Sequence, residues 1–97
     1  MRFDFDPVKD RLNTEKHGLS LALAASLDWD EALLWLDERR DYGENRVLAL
    51  APKTGILYYV AFVDRDEVRR VISLRRANRR EVKRYVQASE EDSDSNA

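Results

Sequence analysis

Two arginines, Arg75 and Arg79, stand where an apolar run passes into a helix-forming segment, Val71-Ile72-Ser73-Leu74-Arg75-Arg76-Ala77-Asn78-Arg79-Arg80-Glu81-Val82-Lys83-Arg84-Tyr85. A guanidinium can grip a phosphate with two parallel hydrogen bonds and stabilise charge developing on it. Residues 65–85 hold nine Lys/Arg against three Asp/Glu, although the whole chain carries a net charge of −2. A positive face on an acidic body is the electrostatic footprint of a polyanion site, RNA or DNA phosphate above all. Further along, Arg79 and Lys83 are four apart, as are Arg80 and Arg84, which makes two basic rows on a helix. Like charges at that spacing cost stability. A solvated basic face is therefore the plainer reading for Arg80, Lys83 and Arg84, and Arg75 and Arg79 at the junction are the better functional candidates.

His17, in Lys16-His17-Gly18, is the one histidine of the chain. Any histidine acid–base step must be its work; the plainer reading is a cation at a helix C-terminus, favoured by the helix dipole. Arg39-Arg40-Asp41-Tyr42-Gly43-Glu44-Asn45-Arg46 packs acid, base, phenol and glycine into eight positions. There Glu44 could take a proton from a ribose 2′-hydroxyl while Arg46 holds the phosphate, or the segment is an ordinary polar loop with local ion pairs, a reading strong for Arg39 and Arg40. No glycine-rich phosphate loop or cofactor fingerprint is present. One histidine, no cysteine and scattered acids give no metal site and no thiolate chemistry. Trp29, Trp35, Tyr58 and Tyr59 sit in apolar runs and read as core rather than as base-stacking platforms.

These residues need a scaffold, and 97 residues suffice for one small domain. Phe3-Asp4-Phe5 alternates as a short strand. Asp6-Pro7 then supplies an N-cap and a proline at the first helical position, opening a helix to about Lys16 with Val8 and Leu12 inside and Gly18 just past its end. Ser20 caps a second helix, Leu21 to about Leu27. Strands are expected at Ala32–Leu36, Arg46–Ala51, Ile56–Val63 (a central strand) and Val68–Leu74. Pro52-Lys53-Thr54-Gly55 and Asp64-Arg65-Asp66 form the turns. Along the last strand Arg69, Val71, Ser73 and Arg75 share one face and Arg70, Ile72 and Leu74 the other. Asn78 and Glu81 form a capping box that opens the final helix, with Val82, Tyr85 and Val86 as its apolar stripe. The expected class is α+β: an antiparallel sheet of about four strands, two N-terminal helices and one C-terminal helix. Residues 1–88 form the domain, and 89–97 form a disordered acidic tail. No apolar run spans a membrane and no signal-peptide pattern opens the chain, so a cytoplasmic location is expected.

Four segments resemble the BrnT toxins of bacterial type II toxin–antitoxin systems. They are Phe5-Asp6-Pro7 with Lys9; Asn13 with Lys16-His17-Gly18; Arg40-Asp41-Tyr42-Gly43-Glu44 with Arg46; and Ile72-Ser73-Leu74-Arg75-Arg76-Ala77 with Arg79, Arg80, Glu81 and Tyr85. The resemblance implies a RelE-like fold and a ribonuclease that blocks translation by endonucleolytic cleavage, without metal or cofactor. It places Lys16, His17, Glu44, Arg46, Arg75 and Arg79 near the site, with Arg76, Arg80 and Lys83 as RNA contacts. It also implies a small BrnA-like antitoxin that covers the site and carries a ribbon-helix-helix module, through which alone DNA would be met. The expected mechanism is attack of the ribose 2′-oxygen on the adjacent phosphate, with Glu44 or Lys16 as base, His17 as acid and Arg46, Arg75 and Arg79 as clamps. The same arginines would serve a non-catalytic RNA- or ribosome-binding module, or an inactive toxin kept as an antitoxin-binding scaffold.

Overall fold

The computed structural model describes the backbone of residues 1–95 and the side chains of residues 1–91. The chain runs β1 (Arg2–Asp4), α1 (Pro7–His17), two 3-10 turns (Leu21–Ser26 and Trp29–Glu31), β2 (Leu33–Leu36), β3 (Arg46–Lys53), β4 (Ile56–Arg65), β5 (Val68–Arg76) and α2 (Arg79–Ser95). The strands form one five-stranded sheet in the order β1-β5-β4-β3-β2. β2 to β5 are an antiparallel meander, and β1 joins its far edge parallel to β5, Arg2 beside Val68 and Asp4 beside Arg70. The sheet is therefore mixed and one strand larger than expected, because the Phe3 segment pairs with the last strand. The second helix is a 3-10 segment, capped by Ser20 as anticipated, its Oγ accepting from the Ala22 N–H at 3.1 Å.

Turn chemistry fixes the meander. Lys53 faces Ile56 across a two-residue loop whose residues, Thr54 and Gly55, both have positive φ (50° and 79°). That turn matches the strand twist and favours glycine at its second position. β3 thus extends to Lys53, β4 to Arg65 and β5 to Arg76, beyond the expected ends. The β4–β5 ladder jumps register: Ala61 faces Ser73, but Phe62 faces Val71. Ile72 is the extra residue of a bulge, so Val71 and Leu74, three apart, both enter the same core. Ser73 and Arg75 are left on the opposite face, and the simple alternation expected for this strand fails at that point.

The core lies on one face of the sheet, under the Leu21–Ser26 turn. Phe62, Leu21, Leu74, Val60 and Val71 are fully buried there, with Trp29 packing edge-on to Phe62 at 5.4 Å. Truncating a side chain such as Phe62 costs about 3–5 kcal/mol.

The two helices do not bury the residues their apolar spacing suggests. Val8 and Leu12 of α1 are more than half exposed, whereas Asn13 is buried. The inward stripe of α1 is polar. Asp10 accepts from the Ser20 hydroxyl at 2.9 Å and the Leu21 N–H at 2.7 Å, and Asn13 bonds β5. On α2, Val82 and Val86 are exposed and Tyr85 faces inward, its hydroxyl donating to the Glu31 carbonyl at 2.6 Å. The capping box forms as expected: the Asn78 N–H donates to Glu81 and the Glu81 N–H to Asn78, both at 2.8 Å. With no Gly or Pro after Pro52-Lys53-Thr54-Gly55, nothing in the sequence stops α2. It continues to Ser95, through most of the segment expected as a disordered tail; Asn96 and Ala97 lie outside the described residues. Among the described residues no helix is long and apolar enough to cross a membrane.

Candidate functional site

Gly18, at φ 71°, ends α1 by returning its N–H to the Thr14 carbonyl at 2.8 Å, which leaves His17 as the last helical residue. Asn13, one turn earlier, docks that helix end on β5. Its Nδ2 donates to the Leu74 and Leu19 carbonyls, each at 2.8 Å, and its Oδ1 accepts from the Leu74 N–H at 3.0 Å. Arg75 follows Leu74. Lys16, His17, Gly18 and Leu19 therefore face Arg75 and Arg76 across an open pocket of about 520 Å³.

Three groups fix Arg75. Glu81 takes its two terminal nitrogens at 2.8 and 2.9 Å, the Arg76 carbonyl accepts from Nη1 at 3.2 Å, and its guanidinium lies 4.2 Å over the Tyr59 ring. Glu81 occupies the end of the fork; Nε and the adjoining edge of Nη2 make no bond in the protein and are free for a phosphate oxygen. Partial burial, then the charges of Lys16 and Arg75, lower the pKa of His17 below its ordinary 6.5. These influences favour the neutral imidazole, the form able to accept a proton.

Glu44 and Arg46 lie elsewhere. They line a cavity of about 390 Å³ with Asp4, Lys9, Arg65 and Arg70, walled by Val63, Val68 and Ile72. That cavity shares no lining residue with the His17 pocket. A shallow groove of about 280 Å³ joins the two, with Lys9, Leu12 and Lys16 of α1 facing Ile72 and Ser73 of β5. Arg46 stacks 3.9 Å over Tyr42, and its buried Nε has no hydrogen-bond partner, an arrangement costing of order 1–3 kcal/mol. In the same loop the buried Asp37 carboxylate accepts from Arg39 Nε and Nη2, each at 2.8 Å, and from the Tyr42 hydroxyl at 2.9 Å. Those Arg39 bonds, outweighing desolvation, hold its pKa far below the usual carboxylate range. Arg39 does have the local ion pair expected of it.

The structure thus assembles Lys16, His17, Arg75 and Arg76, and sets Glu44 and Arg46 apart from them. Arg79, Arg80 and Lys83 are exposed on α2 and line none of these three pockets. Sequence reasoning named Lys9 and Asn13 only as part of the family resemblance, Arg70 only as a strand-face residue and Tyr59 only as core, and gave none of them a place in the site. Lys9 and Lys16 are seven apart, two helical turns, so their shared face was readable. Trp29 and Tyr58 do join the core, but Trp35 and Tyr59 pack against each other on the opposite face, under Arg84 and Arg75. Among the described residues no three His, Asp or Glu side chains gather as metal ligands.

No curated protein sequence matches the chain. The model of one family, described as the ribonuclease toxin, BrnT, of type II toxin–antitoxin systems, matches residues 5–81. That span includes α1, β2 to β5 and the first turn of α2 as far as Glu81, and with them every residue of the pocket, the groove and the Glu44 cavity except Asp4. Matched over most of its length and through all its basic cleft, the chain belongs to the BrnT family of type II ribonuclease toxins.

Proposed function

We propose that the chain is a metal-independent endoribonuclease of RelE-like fold, which cleaves RNA and so inhibits translation until a cognate antitoxin covers it. One observation carries the reading: α1 and β5, far apart in sequence, bring Lys16, His17, Arg75 and Arg76 around a single open pocket. The metal-free step follows from the cations gathered there, which attract a phosphate and repel a divalent ion.

Neutral His17 takes the proton of a ribose 2′-hydroxyl. The 2′-oxygen forms a bond to the adjacent phosphorus while the bond to the 5′-oxygen breaks, and the Lys16 ammonium protonates the leaving oxygen. Arg75, oriented by Glu81 and Tyr59, binds the phosphate through its free edge as negative charge builds on it. The products are a 2′,3′-cyclic phosphate and a 5′-hydroxyl. This assigns His17 the role of base rather than acid, because its lowered basicity favours the neutral imidazole. Glu44, in the other cavity, takes no part in proton transfer.

As a type II toxin the chain has an antitoxin partner at family level; a BrnA-like ribbon-helix-helix protein is the proposed one. Leu34 and Leu36 on the free edge of the sheet, and Val82 and Val86 on α2, are exposed apolar residues that such a partner would cover.

Incubation of the purified protein with end-labelled RNA in a chelator tests the reading. Cleavage leaving cyclic phosphate ends is expected, with His17→Ala at unchanged melting temperature and Arg75→Ala at matched folded fraction each reducing it by about 100-fold or more. An equimolar antitoxin should abolish it. RNA that binds but stays intact makes the protein a non-catalytic RNA-binding module.

A further inference from the structure

The cavity holding Glu44 and Arg46 has a composition that the cleavage step leaves unexplained. Its volume, about 390 Å³, falls in the range of small-molecule sites. Its walls alternate apolar side chains, Val63, Val68 and Ile72, with charged ones. Two of its cations are already paired. Arg70 holds Asp4 at 2.7 Å, a firm wall, while Arg65 reaches Glu44 at a loose 3.4 Å and is itself 76% exposed. Lys9 and Arg46 have no carboxylate partner among the described residues, and the terminal nitrogens of Arg46 make no hydrogen bond in the protein. The Arg46 guanidinium is nevertheless held in place, stacked on Tyr42. The cavity is therefore lined by a stacked guanidinium, which it shares with the neighbouring Tyr42 groove, by a loosely held carboxylate at Glu44 with Asp66 at the turn beyond Arg65, and by a free ammonium.

Guanine is the base with chemistry to match both of the first two groups. Its N1–H and 2-amino group are adjacent donors that a carboxylate accepts together, and its O6 and N7 are adjacent acceptors for a guanidinium. Adenine, cytosine and uracil lack one pair or the other. Single-stranded RNA is read in this way, by unstacked bases that enter a pocket and are bonded along their edges.

The connection to the cleavage pocket supports the assignment. Lys9 and Ile72 line both the cavity and the groove, and Lys16 and His17 line both the groove and the pocket. Lys9 to Lys16 is about 10 Å along a helix, or roughly three nucleotides at about 3.4 Å each when stacked. One strand of RNA can thus place a phosphate against Arg75 and a nearby base in the cavity.

We propose that the cavity between β1, β3, β4, β5 and α1 is a guanine subsite, in which Glu44 accepts from N1–H and the 2-amino group, Arg46 donates to the O6 side, and Lys9 meets the phosphate. As a subsite of the cleft, it rests on the ribonuclease reading; as a nucleotide pocket, it can be tested without it.

The test titrates the full-length protein with the 5′-monophosphates of guanosine, adenosine, cytidine and uridine, followed by calorimetry. Guanosine monophosphate is expected to bind at least about tenfold more tightly than the others. Glu44→Gln, an exposed change with unaltered melting temperature, is expected to erase that preference, and Arg46→Ala to weaken binding. Equal binding of all four, or a preference that survives Glu44→Gln, overturns the proposal. A cleavage map of mixed-sequence RNA separates the two readings. Cuts at a fixed spacing from guanines support both. Cuts indifferent to guanine overturn the subsite and leave the ribonuclease. A guanosine preference without cutting overturns the ribonuclease and leaves the subsite.

Discussion

Asn13 and Leu74 exchange two hydrogen bonds across 61 positions of chain: Nδ2 donates to the Leu74 carbonyl at 2.8 Å, and Oδ1 accepts from the Leu74 N–H at 3.0 Å. The carboxamide does for β5 what a neighbouring strand does elsewhere in the sheet, at the point where β1 has ended. It also sets His17 beside Arg75. Asn13→Ala would leave the backbone of Leu74 unsatisfied and is expected to cost about 2–4 kcal/mol. Asn13→Asp keeps the acceptor but turns an oxygen toward two carbonyls, and should cost at least as much. Urea denaturation measures both, and a loss under about 0.5 kcal/mol would show that the pin is dispensable.

Glu81 joins the start of α2 to the cleft. Its carboxylate closes the capping box with Asn78 and holds both terminal nitrogens of Arg75. Replacing it with Ala removes a cap and a half-buried ion pair, an expected loss of about 1–2 kcal/mol. RNA cleavage should fall further than stability does, since Arg75 loses its orientation. Cleavage equal to that of the parent protein at matched folded fraction would dissociate Glu81 from the site.

Acid should expose the same contact. Partial burial raises the pKa of Glu81, but the Arg75 hydrogen bonds, the Asn78 N–H and the Arg75 charge bring it below its ordinary 4.5. A carboxylate with a lowered folded pKa stabilises the fold above its unfolded value, and that contribution fades as pH drops through the folded one. The parent protein should therefore lose stability between about pH 5 and pH 3 more steeply than Glu81→Gln. Parallel curves would mean that the pair contributes nothing.

His17 titrates in a separate window. Burial, Lys16 and Arg75 lower its pKa from 6.5, so between the lowered value and 6.5 the unfolded chain binds the proton more readily than the folded one. Stability should decline as pH falls through that interval. Cleavage should decline with it, because the protonated imidazole is no longer a base. His17→Gln should flatten the stability curve there; an acid limb that persists in this variant belongs to another group.

The Asp37 cluster is expected to hold its loop rigid down to strongly acidic pH, since Arg39 keeps the carboxylate ionised far below the usual range. Asp37→Asn weakens the acceptor of Arg39 and Tyr42 and should cost about 2 kcal/mol. It should also loosen Tyr42, on which Arg46 stacks. Proteolytic nicking within residues 38–45 should accelerate in the variant, and an unchanged nicking rate would count against the cluster as the anchor of that loop.

The meander was legible because each strand carries its own apolar run and each turn its own chemistry, Thr54-Gly55 above all. The basic residues at the end of β5 announced the cleft for the same local reason. What escaped was set by polar contacts between distant segments. The inward face of α1 is Asp10, Asn13 and His17, so apolar spacing pointed to Val8 and Leu12, which are exposed. β1 pairs with the last strand, and no local pattern marks a parallel partner so remote. The bulge at Ile72 broke the alternation on which facing was read. Glu44 and Arg46 were grouped with His17 because all have the right chemistry, yet only the folded sheet shows that they line a different cavity.

The parallel pairing of β1 with β5, and the Asn13 pin beside it, bear on the order in which the proposed site is assembled during synthesis. One half of the proposed cleavage pocket, Lys16 to Leu19, is translated well before the other half, Arg75 and Arg76. A nascent chain still short of Leu74 lacks the pin between α1 and β5 and has no arginine opposite His17. A fragment ended before Leu74 is therefore expected to bind no phosphate at this pocket. On the ribonuclease reading proposed above, the pocket is complete only once β5 has joined both β1 and α1.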